Sequence, residues 1–209
     1  MMTSLRRAAA SAAVALTALG LGTLDHAAAQ GAPATLQPVA KLDVHRYLGA
    51  WWQQAAVPGF YSLRCARDTV ATYSLIDATT VKVDNKCIGP LGNPDGIKGQ
   101  AKVVDTKTNA QLSVSFPGIP GTIDAGGRAN YVVAWVADGA RPSDPYRYAI
   151  VGDPYRLSGY ILSRDKVISH STLLWLRSQA EKVGFNSCTL LVSPTTGGRS
   201  DYTPLCLLR

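Results

Sequence analysis

The side chains able to carry chemistry are few, and they form no catalytic or metal-binding motif. Of the three histidines, His26 falls in an N-terminal leader, which leaves His45 and His170. Neither lies near a G-x-S-x-G sequence, which argues against a serine hydrolase. No two cysteines are spaced as C-x-x-C, so a zinc site is not expected either. We therefore expect no enzyme, no metal site and no cofactor.

The four cysteines, Cys65, Cys87, Cys188 and Cys206, are the remaining reactive groups. An even number of cysteines in an exported chain predicts two disulfides, for which three connectivities exist. A free thiol would be reactive only with a lowered pKa and an accessible position. A disulfide would remove that possibility.

The first 29 residues have the three parts of a secretory signal peptide. Residues 1–7 contain two arginines, residues 8–24 are apolar and rich in alanine, and Ala27-Ala28-Ala29 supplies small residues for cleavage. The apolar run is short and weakly hydrophobic for a membrane span, so no transmembrane segment is expected. No cysteine lies near the cleavage site, so no lipid anchor is expected. The sequence predicts a secreted or periplasmic protein that begins after Ala29.

The charge of the remaining chain is basic but dispersed. Removing residues 1–29 leaves 19 basic and 13 acidic residues, a formal charge of +6. The lysines and arginines form no stripe, so nucleic acid is not an expected partner. A basic surface would allow loose association with an anionic cell envelope.

The pattern after the leader is dominated by strands. Residues 30–41 contain two prolines and predict a flexible lead-in. Eight alternating or apolar runs then follow, joined by short or moderate loops: Trp51–Val57, Asp68–Leu75, Thr80–Cys87, Lys98–Asp105, Gln111–Phe116, Ala129–Ala137, Tyr146–Val151 and Gly159–Arg164. Closing such a sheet removes its exposed edges, and eight strands leave room for one small ligand. The predicted fold is all-β, an eight-stranded antiparallel up-and-down barrel.

One helix and a tail follow the strands. Ser171–Val183 has apolar residues at helical spacing, and Gly184 is suited to end it. We expect this C-terminal helix to pack outside the barrel. Thr189–Val192 is a candidate last strand, and residues 193–209 read as an extended tail fastened by Cys206.

The predicted elements favour one disulfide pairing. A hairpin turning at residues 76–79 brings Cys65 and Cys87 to the same end of two paired strands, within disulfide range. Cys188–Cys206 would then staple the tail beside the last strand. A bond from Cys206 back to the barrel remains an alternative.

Three motifs, in order over residues 42–192, resemble the lipocalin family, of the bacterial envelope type related to apolipoprotein D. LDVHRYLGAWWQQAAVP is similar to the opening motif, with Asp43, Tyr47, Gly49 and Trp51 in register. SDPYRYAIVGDP resembles the second motif and keeps Asp144, although Pro145 replaces its tyrosine. YILSR matches the third motif, whose arginine, here Arg164, packs across the motif tryptophan. The family often has a cysteine at the ends corresponding to CARDTVATYSL and VKVDNKC, which supports the first disulfide. Some lipocalins are similar to isomerases that use a free thiol in the barrel, so the resemblance also implies an alternative, a thiol-dependent isomerase.

The resemblance implies that residues 42–192 form a barrel that binds a small apolar molecule, such as a fatty acid, a lysophospholipid or a similar lipid. If Trp51 points inward, the two-residue period of a strand turns Gln53 and Ala55 inward too. If Arg164 shares the inward face, Tyr160 does as well. Further candidate ligand-binding residues, which a slip of register would move outside, are Tyr73, Tyr131, Trp135 and Tyr148.

A different class of function also fits the sequence. The glycine-rich segments 89–96 and 118–127 would lie in loops at the open end of such a barrel. Through them the protein would act as an envelope interaction module, and a barrel filled with side chains would favour this hypothesis.

Overall fold

A computed structural model describes residues 35–119 and 127–209 of the chain. The predicted leader lies outside the described residues, as does most of the 118–127 segment. The helices and strands within them are α1 (Val44–Tyr47), β1 (Gly49–Ala56), β2 (Arg67–Leu75), β3 (Thr80–Ile88), β4 (Pro94–Val103), β5 (Gln111–Ser115), β6 (Tyr131–Ala137), β7 (Tyr148–Gly152), β8 (Gly159–Ser163), α2 (His170–Lys182) and β9 (Leu191–Val192). None of these helices is long and apolar enough to cross a membrane.

The strands form a closed antiparallel barrel, which confirms the predicted fold class. Each strand from β2 to β8 pairs with the next one along the chain, and β1 closes the barrel by pairing with both β2 and β8. The short strand β9 adds to the last two residues of β1. Consecutive antiparallel strands alternate in direction, so the β1–β2, β3–β4, β5–β6 and β7–β8 loops lie at one end of the barrel.

Several boundaries differ from the predicted ones. Strand β4 begins at Pro94, so the first glycine-rich loop is shorter than predicted. Helix α2 begins at His170, and the Ser169 hydroxyl caps it by accepting a hydrogen bond from the Thr172 amide. Residues 35–41, expected to be flexible, are held instead: the amides of Leu36 and Val39 donate to backbone oxygens of other elements, and Leu36 is buried. Composition alone did not show these long-range partners.

The buried side chains form two clusters on opposite faces of the sheet. The inner cluster fills part of the barrel and includes Trp51, Val83, Val133 and Leu162. The outer cluster lies between the barrel and α2, where Leu176 is fully buried. Helix α2 thus packs outside the barrel, as predicted.

Two irregularities in the strand pairing exchange the inner and outer faces. The register of β1 against β8 shifts between Gln53 and Ala55, and that of β6 against β7 shifts between Val133 and Trp135. A bulge inserts one extra residue into a strand, so side chains beyond it point to the opposite face. These two shifts decide which predicted residues reach the interior.

Both predicted disulfides are present. Cys65–Cys87 joins the β1–β2 loop to β3, and Cys188–Cys206 joins the segment before β9 to the tail. The tail is packed rather than merely tethered, because Leu205 and Leu208 are buried in the outer cluster. The Arg177 guanidinium on α2 donates hydrogen bonds to the carbonyl oxygens of both leucines.

Candidate binding cavity

The barrel encloses a cavity of about 440 Å³. Its walls are mainly apolar, and side chains from β2, β3, β5 and β8 contribute to them, including Ala71, Val81, Val83, Val114 and Leu162. This volume lies within the roughly 300–1,000 Å³ range typical of small-molecule sites. The side chains of the barrel therefore do not fill its interior.

A tryptophan and an arginine close one end of the cavity. Gly49 has a φ of +93°, which favours glycine, and the chain enters β1 through it. Two residues on, Trp51 is fully buried, and its Nε1–H donates to the Tyr47 carbonyl oxygen at 2.8 Å. The Arg164 guanidinium stacks over the indole ring, with its carbon 3.8 Å from the ring centroid. This is the predicted pairing of Trp51 with Arg164.

Arg164 also ties three backbone segments together beneath the floor. Its Nε, Nη1 and Nη2 donate to the carbonyl oxygens of Tyr146, Ala50 and Arg46, at 2.9, 2.8 and 2.9 Å. Burial lowers the pKa of this guanidinium to about 10, so it remains charged at neutral pH. The guanidinium does not line the cavity, because Trp51 lies between them.

The second motif also lies at this closed end. The Asp144 carboxylate accepts hydrogen bonds from the Arg141 backbone amide and side chain, at 2.9 and 3.0 Å. The Asp144 carbonyl oxygen accepts a 2.7 Å hydrogen bond from Nε of Arg46, which lies within α1. Asp144 thus shapes the β6–β7 turn and connects it to α1.

Three tyrosine hydroxyl groups meet at the inner end of the cavity. Tyr131 from β6 reaches Tyr47 of α1 at 2.8 Å and Tyr73 of β2 at 3.3 Å, oxygen to oxygen. The rings of Tyr47 and Tyr73 are stacked, with centroids 5.7 Å apart. Burial raises the pKa of Tyr73 to about 12 and the pKa values of Tyr47 and Tyr131 well above their ordinary value. All three therefore remain neutral hydroxyl groups at physiological pH.

Other polar groups lie on the wall formed by β1 to β3. Gln53 lines the cavity and donates from Nε2 to the Ser193 hydroxyl at 2.7 Å. Asn85 also lines the cavity, and its buried Oδ1 has no hydrogen-bond partner among the described residues. Asn85 faces Ala71 across one strand pair and Ile97 across the other, which explains why no donor reaches it.

Side chains from the loops surround the mouth of the cavity. Tyr61 lines the cavity, and its hydroxyl donates to the Val57 carbonyl oxygen at 2.9 Å. Burial raises the pKa of Tyr61, as it does for neighbouring Tyr160. Arg64 pairs with Asp95 at 2.7 Å, which leaves this cation at the mouth already neutralised.

The structure brings together four of the seven predicted ligand-binding residues. Gln53, Tyr73, Tyr131 and Tyr160 line the cavity. Their role in ligand binding stays a prediction, but their positions permit it.

The other three predicted residues, Ala55, Trp135 and Tyr148, belong to the outer cluster beneath α2, and this placement corrects the prediction. Ala55 and Trp135 follow the two register shifts, which reverse the face expected from a regular two-residue period. Tyr148 lies on the same face of β7 as Ile150, opposite to Ala149 of the inner cluster. Trp135 and Tyr148 each contact Trp175 of α2 edge-on.

Sequence reasoning missed two polar residues of the cavity. Tyr47 was recognised only as part of a motif, because its inward position depends on α1, which no hydrophobic run predicts. Asn85 has the same strand parity as Val81, Val83 and Cys87, all of which line the cavity. That alternation was available in the sequence and is the signal that could have identified it.

Comparison with known proteins gives consistent matches. Residues 42–195 match the family model of a lipocalin-like domain. The chain is 31% identical to temperature-induced lipocalin-1 of Arabidopsis thaliana over 177 residues, covering 81% of this chain and 86% of the relative. It is 30% identical to the outer membrane lipoprotein Blc of Escherichia coli K12, covering 74% and 80%. Among solved structures, apocrustacyanin C1 aligns with a TM-score of 0.54 at 15% identity, covering 76% and 82%, which shows a shared fold.

Proposed function

The chain belongs to the lipocalin family, which binds small hydrophobic ligands, and we propose that it binds one apolar molecule, such as a lipid, inside its barrel. The observation that carries this proposal is the cavity of about 440 Å³, closed at one end by Trp51. An enclosed apolar space with a few polar groups is the usual form of a small-molecule site. Burying an apolar ligand there would contribute about 25 cal/mol for each Å² removed from water.

The alternative function, a thiol-dependent isomerase, requires a free cysteine. All four cysteines are joined in disulfides, so none is free. Without a thiolate, that mechanism has no nucleophile. Two disulfides also support our proposal that the protein acts outside the cytoplasm, because oxidising compartments preserve such bonds.

One observation favours a second function, association with a lipid surface at the cavity mouth. Five large apolar side chains on three open-end loops are exposed to solvent: Phe60, Leu63, Leu91, Tyr155 and Leu157. Exposed apolar groups collected around one feature often mark an interaction site. We propose that this rim contacts the envelope membrane while a lipid enters or leaves, which refines the earlier hypothesis of a module acting through its loops.

A pair of tryptophan substitutions on one strand tests the cavity as the binding site. Ala71 lines the cavity, whereas the next residue, Thr72, is exposed on the outer face. The probe is N-phenyl-1-naphthylamine, whose fluorescence rises in apolar surroundings and is excited beyond tryptophan absorption. Ala71→Trp would occupy part of the cavity and should weaken probe binding at least tenfold, whereas Thr72→Trp should bind like the parent. Equal binding by the parent and both variants would place the probe elsewhere and refute the proposal.

A further inference from the structure

The three tyrosine hydroxyls at the inner end of the cavity have one more O–H donor than there are hydrogen bonds among them. Tyr47, Tyr73 and Tyr131 have three O–H protons, but only two hydrogen bonds join their oxygens. Each of those bonds uses one proton. No other acceptor among the described residues hydrogen-bonds to these three oxygens. One O–H proton is therefore left without a protein acceptor, whichever way the individual hydroxyls rotate.

This surplus donor faces the space where a ligand would lie. All three tyrosines line the cavity, and they come from α1, β2 and β6. A buried donor without a partner lowers stability, and pairing it recovers that loss. An oxygen atom on the bound molecule would provide the missing acceptor.

The electrostatic environment of the three hydroxyls favours a neutral ligand oxygen over a carboxylate. The hydroxyls remain protonated because burial raises the pKa of all three tyrosines. The pKa of Tyr73 rises to about 12, and those of Tyr47 and Tyr131 rise well above the ordinary value. The charge of Arg164 lowers the pKa of Tyr47 and Tyr73, but by less than burial raises it. Arg164 itself does not line the cavity, and three backbone carbonyl oxygens accept its N–H groups.

The two cations that line the cavity, Arg64 and Lys86, lie towards its mouth and pair with Asp95 and Asp84. A carboxylate buried at the tyrosines would therefore find donors but no unpaired cation beside it, and its desolvation would be costly.

We propose that the tyrosine cluster of Tyr47, Tyr73 and Tyr131 hydrogen-bonds a neutral oxygen, a carbonyl or hydroxyl, on an otherwise apolar ligand. The ligand enters with this oxygen leading, and its apolar body lies against the aliphatic walls. The proposal rests on the proposed binding function and specifies the chemical class of the ligand: ketones, alcohols and similar oxygenated lipids rather than plain hydrocarbons or fatty-acid anions.

Two matched probes test this class, 2-undecanone and undecane, each measured by displacement of N-phenyl-1-naphthylamine. In the variant Tyr47→Phe/Tyr73→Phe/Tyr131→Phe the three rings remain and the hydroxyls are lost. The dissociation constant of 2-undecanone should rise about threefold to tenfold, the effect of one net hydrogen bond, and that of undecane should change less than twofold. Tyr148→Phe, a matched loss of a hydroxyl outside the barrel, should leave both unchanged.

A second measurement needs no variant, in case the triple substitution does not fold. The infrared carbonyl band of 2-undecanone, labelled with ¹³C at the carbonyl, should lie at lower frequency when bound to the parent than in liquid undecane. The proposal would be overturned if the carbonyl band of the bound ketone had the frequency measured in liquid undecane. Tighter binding of undecanoate at pH 8 than of 2-undecanone would overturn it too. Failure of 2-undecanone to displace the bound reporter would also overturn it. If the reporter does not bind the parent, or if Ala71→Trp leaves its binding unchanged, the binding function itself fails, which is a distinct result.

Discussion

Replacing Arg164 by lysine should destabilise the barrel strongly, although it preserves the positive charge. Arg164 makes three hydrogen bonds to backbone carbonyls and stacks on Trp51 at 3.8 Å. A lysine ammonium is a point charge on a flexible stem and cannot reproduce a planar fork that also stacks on indole. The comparison therefore isolates geometry from charge.

The expected magnitude follows from the individual contacts. The bonds to Tyr146 and Arg46 are partly buried, and losing them should cost about 1 kcal/mol each. The bond to Ala50 is exposed, so water can replace it. The stacking on Trp51 contributes roughly 0.5–2 kcal/mol. Arg164→Lys should thus lower the free energy of unfolding by about 3 kcal/mol.

Urea denaturation followed by tryptophan fluorescence measures this loss. Arg147→Lys is the matched control, because Arg147 is largely exposed and pairs with the exposed Asp165. Surface pairs of this kind contribute about 1 kcal/mol or less, so the control should unfold almost like the parent. If both variants lose the same small amount, Arg164 does not hold the barrel floor as described.

Three further perturbations have expected outcomes. The free energy of unfolding should keep its full value below pH 10 and fall as the pH rises towards 12. The reason is that the pKa of Tyr73 is about 12 in the folded protein, whereas unfolded tyrosine titrates near 10. Absorbance at 295 nm should show that the buried tyrosines ionise together with unfolding rather than before it. Replacing both Cys188 and Cys206 by serine opens a loop with a sequence separation of 18 and should cost about 3 kcal/mol, measured by chemical denaturation. Leu176→Ala, at a fully buried position of α2, should cost about 2–5 kcal/mol and lower the midpoint of thermal unfolding, while the exposed Leu207→Ala should have little effect.

The fold followed from local patterns that dominate this sequence. Alternating strands, short connections and the need to remove sheet edges were sufficient for an eight-stranded barrel. The hairpin turn at residues 76–79 fixed the relation between β2 and β3, and with it the Cys65–Cys87 bond. The pairing of Trp51 with Arg164 came from the family motifs.

The interior was predicted less well because side-chain direction depends on register. A single inserted residue in β1 turned Ala55 outward, and a second in β6 did the same to Trp135. Nothing in the composition of either strand marks these bulges. Tyr47 reached the cavity through a four-residue helix capped by Asp43, a local arrangement that period-two reasoning does not address.

Native mass spectrometry of the protein, purified from its source without detergent and then extracted with organic solvent, tests the central claim most directly. Our account predicts a stoichiometric adduct of one apolar molecule bearing a neutral oxygen, which disappears on extraction and is absent from Ala71→Trp. A bare mass, together with no binding of ketones, alcohols or lipids on titration, would contradict the carrier function and point to the exposed loops at the cavity mouth as the functional part of the molecule.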